Sequence, residues 1–328
     1  MVGADTGVPP FDPKGCKFDL STFSGRLAHF RELVSPTSLL ISDAMLQSAE
    51  ESLRRHGTGE ATGLTDAELW NAKRITDSAI HPATGEKMFL PGRMAAFMPM
   101  NTAVTAGMLL SRSPLTVGLS QWANQTVNTM VNYVNRSGAS CDTSQLVQAY
   151  VLACSVACGI GVGASKLVER GPPWIKRLGI MVPYTAVVSA GAANLALTRL
   201  PEIRSGAPIA SVPDGEALGS SSSAAVESVR QVLLSRICML PIMPMILPPL
   251  ALSAIKSAVP LLRTNRPAAI ATEVSLIASS IYFCLPAAIA VFPQEMVIPV
   301  SKLEPEFQGR RSKATGAPVE FVTCNKGL

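Results

Sequence analysis

The sequence predicts an all-α polytopic membrane protein with about five transmembrane helices, an N-terminal soluble helical region and an amphipathic asparagine-rich helix between spans one and two. Three observations predict it. The chain is 48% hydrophobic and only 16% charged, where a soluble domain carries about 25% charged residues. Its charges crowd into residues 1–93 and recur as short clusters between long uncharged runs. Five of those runs approach the ~20 residues that cross ~30 Å of hydrocarbon at ~1.5 Å per residue. The runs show little 3.6-residue alternation, which argues against a soluble helical core.

Residues 1–93 read as soluble and helical. DAMLQSAEESLRR (43–55) forms a short amphipathic helix, with Asp43 as its N-cap and His56-Gly57 as its stop. LTDAELWNAKRITDSAI (64–80) forms a second, opened by a Thr65/Glu68 capping box. The N-terminus has no apolar h-region and is interrupted by Asp5, Asp12 and Asp19, so no cleavable leader is expected. The transmembrane domain, 94–292, is expected to hold spans at about 94–110, 145–165, 178–197, 231–255 and 268–292. Residues 293–328 form a C-terminal tail. Basic residues are richer on the N-terminal side of this layout, which places that side in the compartment of insertion and the C-terminus across the membrane.

The wheel of GLSQWANQTVNTMVNYVNR (118–136) gathers Gln121, Asn124, Gln125, Asn128, Asn132 and Asn135 into one arc, opposite Val127, Met130, Val131 and Val134. An amide face offers donors and acceptors without charge, which suits a neutral or zwitterionic solute; the alternative is an interfacial helix bonded to water and loops. Helix breaks are expected at Pro99, Pro183, Pro241, Pro244, Pro248 and Pro286, each deleting one helical hydrogen bond. Asn101 sits beside the first of them. Broken helices with free backbone groups are one way transporters hold solutes. Ser155, Gly159 and Gly163 recur at four-residue spacing and suggest close helix packing. Arg236 and Glu273 are ionisable groups inside apolar runs; Glu273 is the better candidate for an ammonium group.

Net charge +5 without a Lys/Arg tract disfavours nucleic acid. No Walker loop, nucleophile elbow or dinucleotide fingerprint is visible, so neither catalysis nor a cofactor is expected. Seven cysteines, at 16, 141, 154, 158, 238, 284 and 324, offer no zinc spacing and no disulfide framework.

His-Pro-Ala-Thr-Gly-Glu (81–86) resembles the His-Pro-Asp-Thr-Gly-Glu signature of the sideroflexins, with Ala83 in place of the aspartate. FDLSTFSGRLAHF (18–30), NQTVNTMVNYVNRSG (124–138), PEIRSGAPI (201–209), SRICMLPIMPMILPP (235–249) and FPQEMVIPVSKLEPEFQ (292–308) resemble further segments of that family, in order, over roughly residues 17–310. The resemblance implies a multi-pass protein of the mitochondrial inner membrane, without a cleavable presequence and with a matrix N-terminus. It implies transport of serine and similar small neutral amino acids that supply one-carbon metabolism. A citrate-type carrier and an assembly or scaffold factor for inner-membrane complexes are the alternatives. The candidate solute contacts are His81, Thr84, Glu86, Asn101, Asn124, Asn128, Asn132, Asn135, Asn194 and Glu273. Ala83 costs a solute- or proton-binding group if the family's aspartate is one, and little if that aspartate only caps a turn.

Overall fold

The computed structural model describes residues 8–60, 63–136, 143–212, 214–291, 295–313 and 315–325; Cys141 and Phe292 lie outside them. The fold is mostly helical. Helix α1 (Phe23–Leu33) is followed by α2 (Asp43–Gly57) and α3 (Asp66–Ala79). These two pair through Leu46, Ala49, Ala72, Ile75 and Ala79. The Thr65/Glu68 capping box forms, with the Thr65 amide donating to Glu68 at 2.8 Å. Asp43 is not the cap of α2: the Ser42 hydroxyl accepts from the Met45 amide, and Asp43 is the first helical residue.

The bundle begins with α4 (Phe97–Leu110) and α5 (Pro114–Val134), which form an antiparallel hairpin. At one end Asn135 donates its amide to the Gly92 carbonyl at 2.7 Å. At the other, the Ser111 hydroxyl reaches the Thr116 carbonyl at 3.1 Å. Helix α6 (Thr143–Arg170) runs back along α5, with Tyr150 hydroxyl 2.9 Å from Thr126 and Cys158 Sγ 3.4 Å from the Gly118 carbonyl. After the short α7 (Pro173–Arg177), α8 (Met181–Ser205) returns along α6. Ala153, Ala157 and Ala190 close that seam.

The buried stripe of α6 is Ala149, Ala153, Ala157 and Gly161. The expected row of Ser155, Gly159 and Gly163 faces outward instead, and a Cβ added at either glycine would meet nothing. Both rows have four-residue spacing; only the partner helix decides which is used.

The fourth apolar run is divided. α9 (Ser222–Val232) passes into a π-helical stretch, Leu233–Met239, then α10 (Ile242–Met245) and α11 (Leu247–Ala258). Tyr184 donates its hydroxyl to the Cys238 carbonyl within the π stretch at 3.0 Å. α12 (Leu261–Thr264) leads into α13 (Arg266–Val291), which packs on α1, α4 and α11 and holds a buried Pro286. Pro241 precedes α10, Pro244 lies inside it, and Pro248 is in the first turn of α11. Pro99 and Pro183 do not break their helices: each is the third residue of its helix, where the missing N–H has no intrahelical acceptor.

Two helices, not five, are long and apolar enough by themselves to cross a membrane among the described residues: α6 and α13. Only 17% and 28% of their most apolar stretches are buried, so most of that apolar surface points outward, unlike the core helix of a soluble protein.

The fold is not all-α. Strands β1 (Ala207–Ser211), β2 (Ala217–Ser221), β3 (Glu295–Pro299) and β4 (Phe321–Asn325) make an antiparallel sheet in the order β2-β1-β4-β3. The connection after α8 and the C-terminal tail thus form one small domain around Ile209, Ile298, Phe307 and Val322. Five-residue strands leave little local pattern to read, and the β1–β4 pairing that joins the two local pairs is long-range, with Thr323 and Ala210 113 residues apart. The tail also caps α9: Glu304 accepts from the Ser221 hydroxyl at 2.6 Å and the Ser223 amide at 2.7 Å.

Candidate functional site

α5 is built inside out. Its buried face carries Gln121, Asn124 and Gln125 alongside Val117, Val127, Val131 and Val134. Its exposed face carries Leu115, Leu119, Trp122 and Tyr133. The arc of amides against valines read from the wheel is therefore rotated: the valines go inward with three amides, and leucines and aromatics face out. A hydrocarbon solvent favours this distribution and water disfavours it.

The amides on this face are incompletely bonded. Gln121 is 1% exposed and its Oε1 has no hydrogen-bond partner; Asn124 is 4% exposed and its Nδ2 has none. An unmet buried polar group costs about 1–3 kcal/mol. Gly161 of α6 admits the Gln121 side chain: a Cβ there would stand 3.1 Å from Gln121 Cγ. On α4, which packs against α5, Asn101, Thr102 and Thr105 are buried. Asn101 donates to the Phe97 carbonyl at 2.9 Å and Thr102 to the Met98 carbonyl at 2.7 Å, so both use a donor within their own helix. Thr102, Thr105 and Gly161 escaped the sequence reading; polar residues at 101, 102 and 105 of an apolar run were the available signal.

The other candidates scatter. Asn128 is half-buried and Asn132 is exposed. Asn135 is structural, its amide shared between the Gly92 and Val131 carbonyls at 2.7 Å each. Asn194 is half-buried on α8, and Glu273 is half-buried on α13.

His81, Thr84 and Glu86 form a separate closed turn. The His81 amide donates to the Glu86 carbonyl at 2.9 Å, and Gly85 donates back to the His81 carbonyl at 2.9 Å. His81 Nδ1 accepts from the amides of Ala83 and Thr84 at 3.2 Å each, which places the ring proton of the neutral form on Nε2. Gly85 takes φ +69°, a conformation that suits glycine. Glu86 and Ala83 are exposed, so an aspartate at 83 would face outward. Lys87 ties the turn to Asp43 of α2.

Outside the bundle, one carboxylate is strongly perturbed. Desolvation alone would raise the Glu304 pKa, but the donors from Ser221 and Ser223 outweigh it and hold the group at about 2.

An apolar exterior over inward amides defines a class: a helical membrane protein with a polar interior. The comparisons make it particular. The sideroflexin family model matches residues 12–328. Human Sideroflexin-3 is 40% identical over 315 residues, covering 95% of this chain and 96% of that protein. Sheep Sideroflexin-1 is 37% identical over 323 residues, covering 98% of each. Sideroflexin FSF1 of Saccharomyces cerevisiae is 36% identical over 337 residues, covering 98% of this chain and 99% of that protein. The chain belongs to the sideroflexin family, whose members are mitochondrial membrane proteins of transporter type. No solved structure matches it.

Proposed function

We propose that this protein carries serine and similar small neutral amino acids across the mitochondrial inner membrane. The observation that carries the reading is the unmet pair on α5: an amide oxygen, Gln121 Oε1, and an amide N–H donor, Asn124 Nδ2, both buried in the bundle. The oxygen suits the solute's ammonium or hydroxyl, and the N–H suits its carboxylate. Both are uncharged, which matches a solute without net charge. A citrate-type solute would need buried cations instead. Arg26 and Arg93 are the buried cations among the described residues. Their guanidinium Nε atoms are spent on the carbonyls of Ala290 and Met88. The side chain of Arg236 is outside the described residues.

Uptake of labelled serine by proteoliposomes tests the reading. Protein-dependent uptake that is competed by alanine and not by citrate is the expected result. Folded protein that gives no uptake above empty vesicles refutes it.

A further inference from the structure

We propose that α5 is itself a membrane pass, so that the chain crosses six times and both of its ends lie on the face that carries the sheet. Four independent features of the fold lead there.

The first is the solvent that α5 expects. Leu115 is 71% exposed, Leu119 54% and Trp122 50%, while Gln121, Asn124 and Gln125 are 1–5% exposed on the opposite face. An interfacial helix would turn its amides to water. With 21 residues, α5 is about 31 Å long, the thickness of the hydrocarbon layer.

The second is depth. α5 lies antiparallel along α6, with Thr126 level with Tyr150, Gly118 with Cys158 and Gln121 with Gly161. These contacts fall in the middle of the more exposed of the two membrane-length helices. Wherever α6 crosses, α5 crosses beside it.

The third is where the chain enters. Gly92, just before α4, abuts the end of α5, and a Cβ on it would clash with Val134 Cγ2. Following α4, α5, α6, α8, the divided α9–α11 segment and α13 gives six alternating passes, from the Gly92 end to the sheet end, and these are the same end. Arg26 states this directly. It lies in α1, yet its Nε donates to the carbonyl of Ala290 at 2.8 Å, one residue before α13 stops. The other end of that helix is about 38 Å away.

The fourth is charge. The connections at the far end, 111–113, 171–180 and 259–265, carry Arg112, Lys176, Arg177 and Arg263 and no acid. Those at the sheet end, 135–136 and 206–221, carry Arg136 against Asp214 and Glu216. Short basic loops stay in the compartment of insertion. The sheet and both chain ends then face the intermembrane space, reversing the matrix N-terminus that five spans imply. The even count stands on geometry alone; naming the compartments rests on the inner-membrane reading above.

Single cysteines test both parts. E50C, R112C, T143C, K176C and K313C, each with the seven native cysteines replaced by serine, are treated in mitoplasts with a membrane-impermeant maleimide. The expected result is reaction at 50, 143 and 313 before detergent and at 112 and 176 only after it. The same grouping with the order exchanged upholds six passes and overturns the compartment assignment. Reaction of 112 together with 143 overturns the pass by α5, and 50 on the opposite side from 313 overturns the even count. Should the cysteine-free background fail to fold, epitope tags at the two ends of the native protein give the same answer under protease. Cleavage of both tags supports the proposal, and cleavage of one refutes it. Neither readout depends on which solute moves, or on whether one does.

Discussion

At the scale of residues, chemistry and packing divide the amides that look alike in sequence. Gln121 and Asn124 are buried with unmet atoms, whereas Asn132 is exposed on the same helix. Serine uptake should therefore fall at least tenfold in Q121L or N124L, and should stay within twofold of wild type in N132A. Equal loss in all three would mean that the whole stripe acts through folding. The His81 turn is a second case. Its ring accepts two backbone amides, so H81A should lower stability by about 1–2 kcal/mol in detergent melts. Position 83 points outward, so A83D should change stability by less than about 0.5 kcal/mol. That outcome would make the family's aspartate dispensable for the turn and leave the departure at 83 without structural cost.

At the scale of elements, close approach and capping set the geometry. Gly92 allows the start of α4 to meet the end of α5. G92A places a methyl against Val134 and should cost about 1–3 kcal/mol, seen as a lower melting temperature. Glu304 holds the first turn of α9 from a tail that lies about eighty residues further along. E304Q should cost about 1 kcal/mol at neutral pH, the usual cost of a weakened cap. The sign in pH follows from the depressed carboxyl. Its contribution is complete above the ordinary value of 4.5 and is lost as pH falls toward 2, so wild type and E304Q should converge over that window. Convergence on raising the pH instead would show that the carboxylate is not the stabilising form. Capping signals were legible in sequence where both partners are local, as at Thr65 and Glu68; the Glu304 contact that reinforces the local Ser221 cap of α9 was not, because it comes from elsewhere in the chain.

At the scale of the whole molecule, the sequence by itself determined the solvent, the helical class and the family resemblance. These follow from composition and from motifs that are contiguous in the chain, such as residues 81–86 and 303–307. It also located the apolar runs to within about five residues of α4, α6 and α13, while α8 runs eight residues past the expected end of its span. The tertiary structure decided which faces meet. It chose Ala149–Gly161 over the equally spaced row beside it, turned the amides of α5 inward, and joined the connection after α8 to the tail in one sheet. It also set Arg26 against the last turn of α13. The reason is physical: hydropathy and spacing are sums over neighbours in sequence, whereas helix rotation, strand partners and the parity of crossings depend on contacts between residues tens to hundreds of positions apart, and no local pattern encodes those.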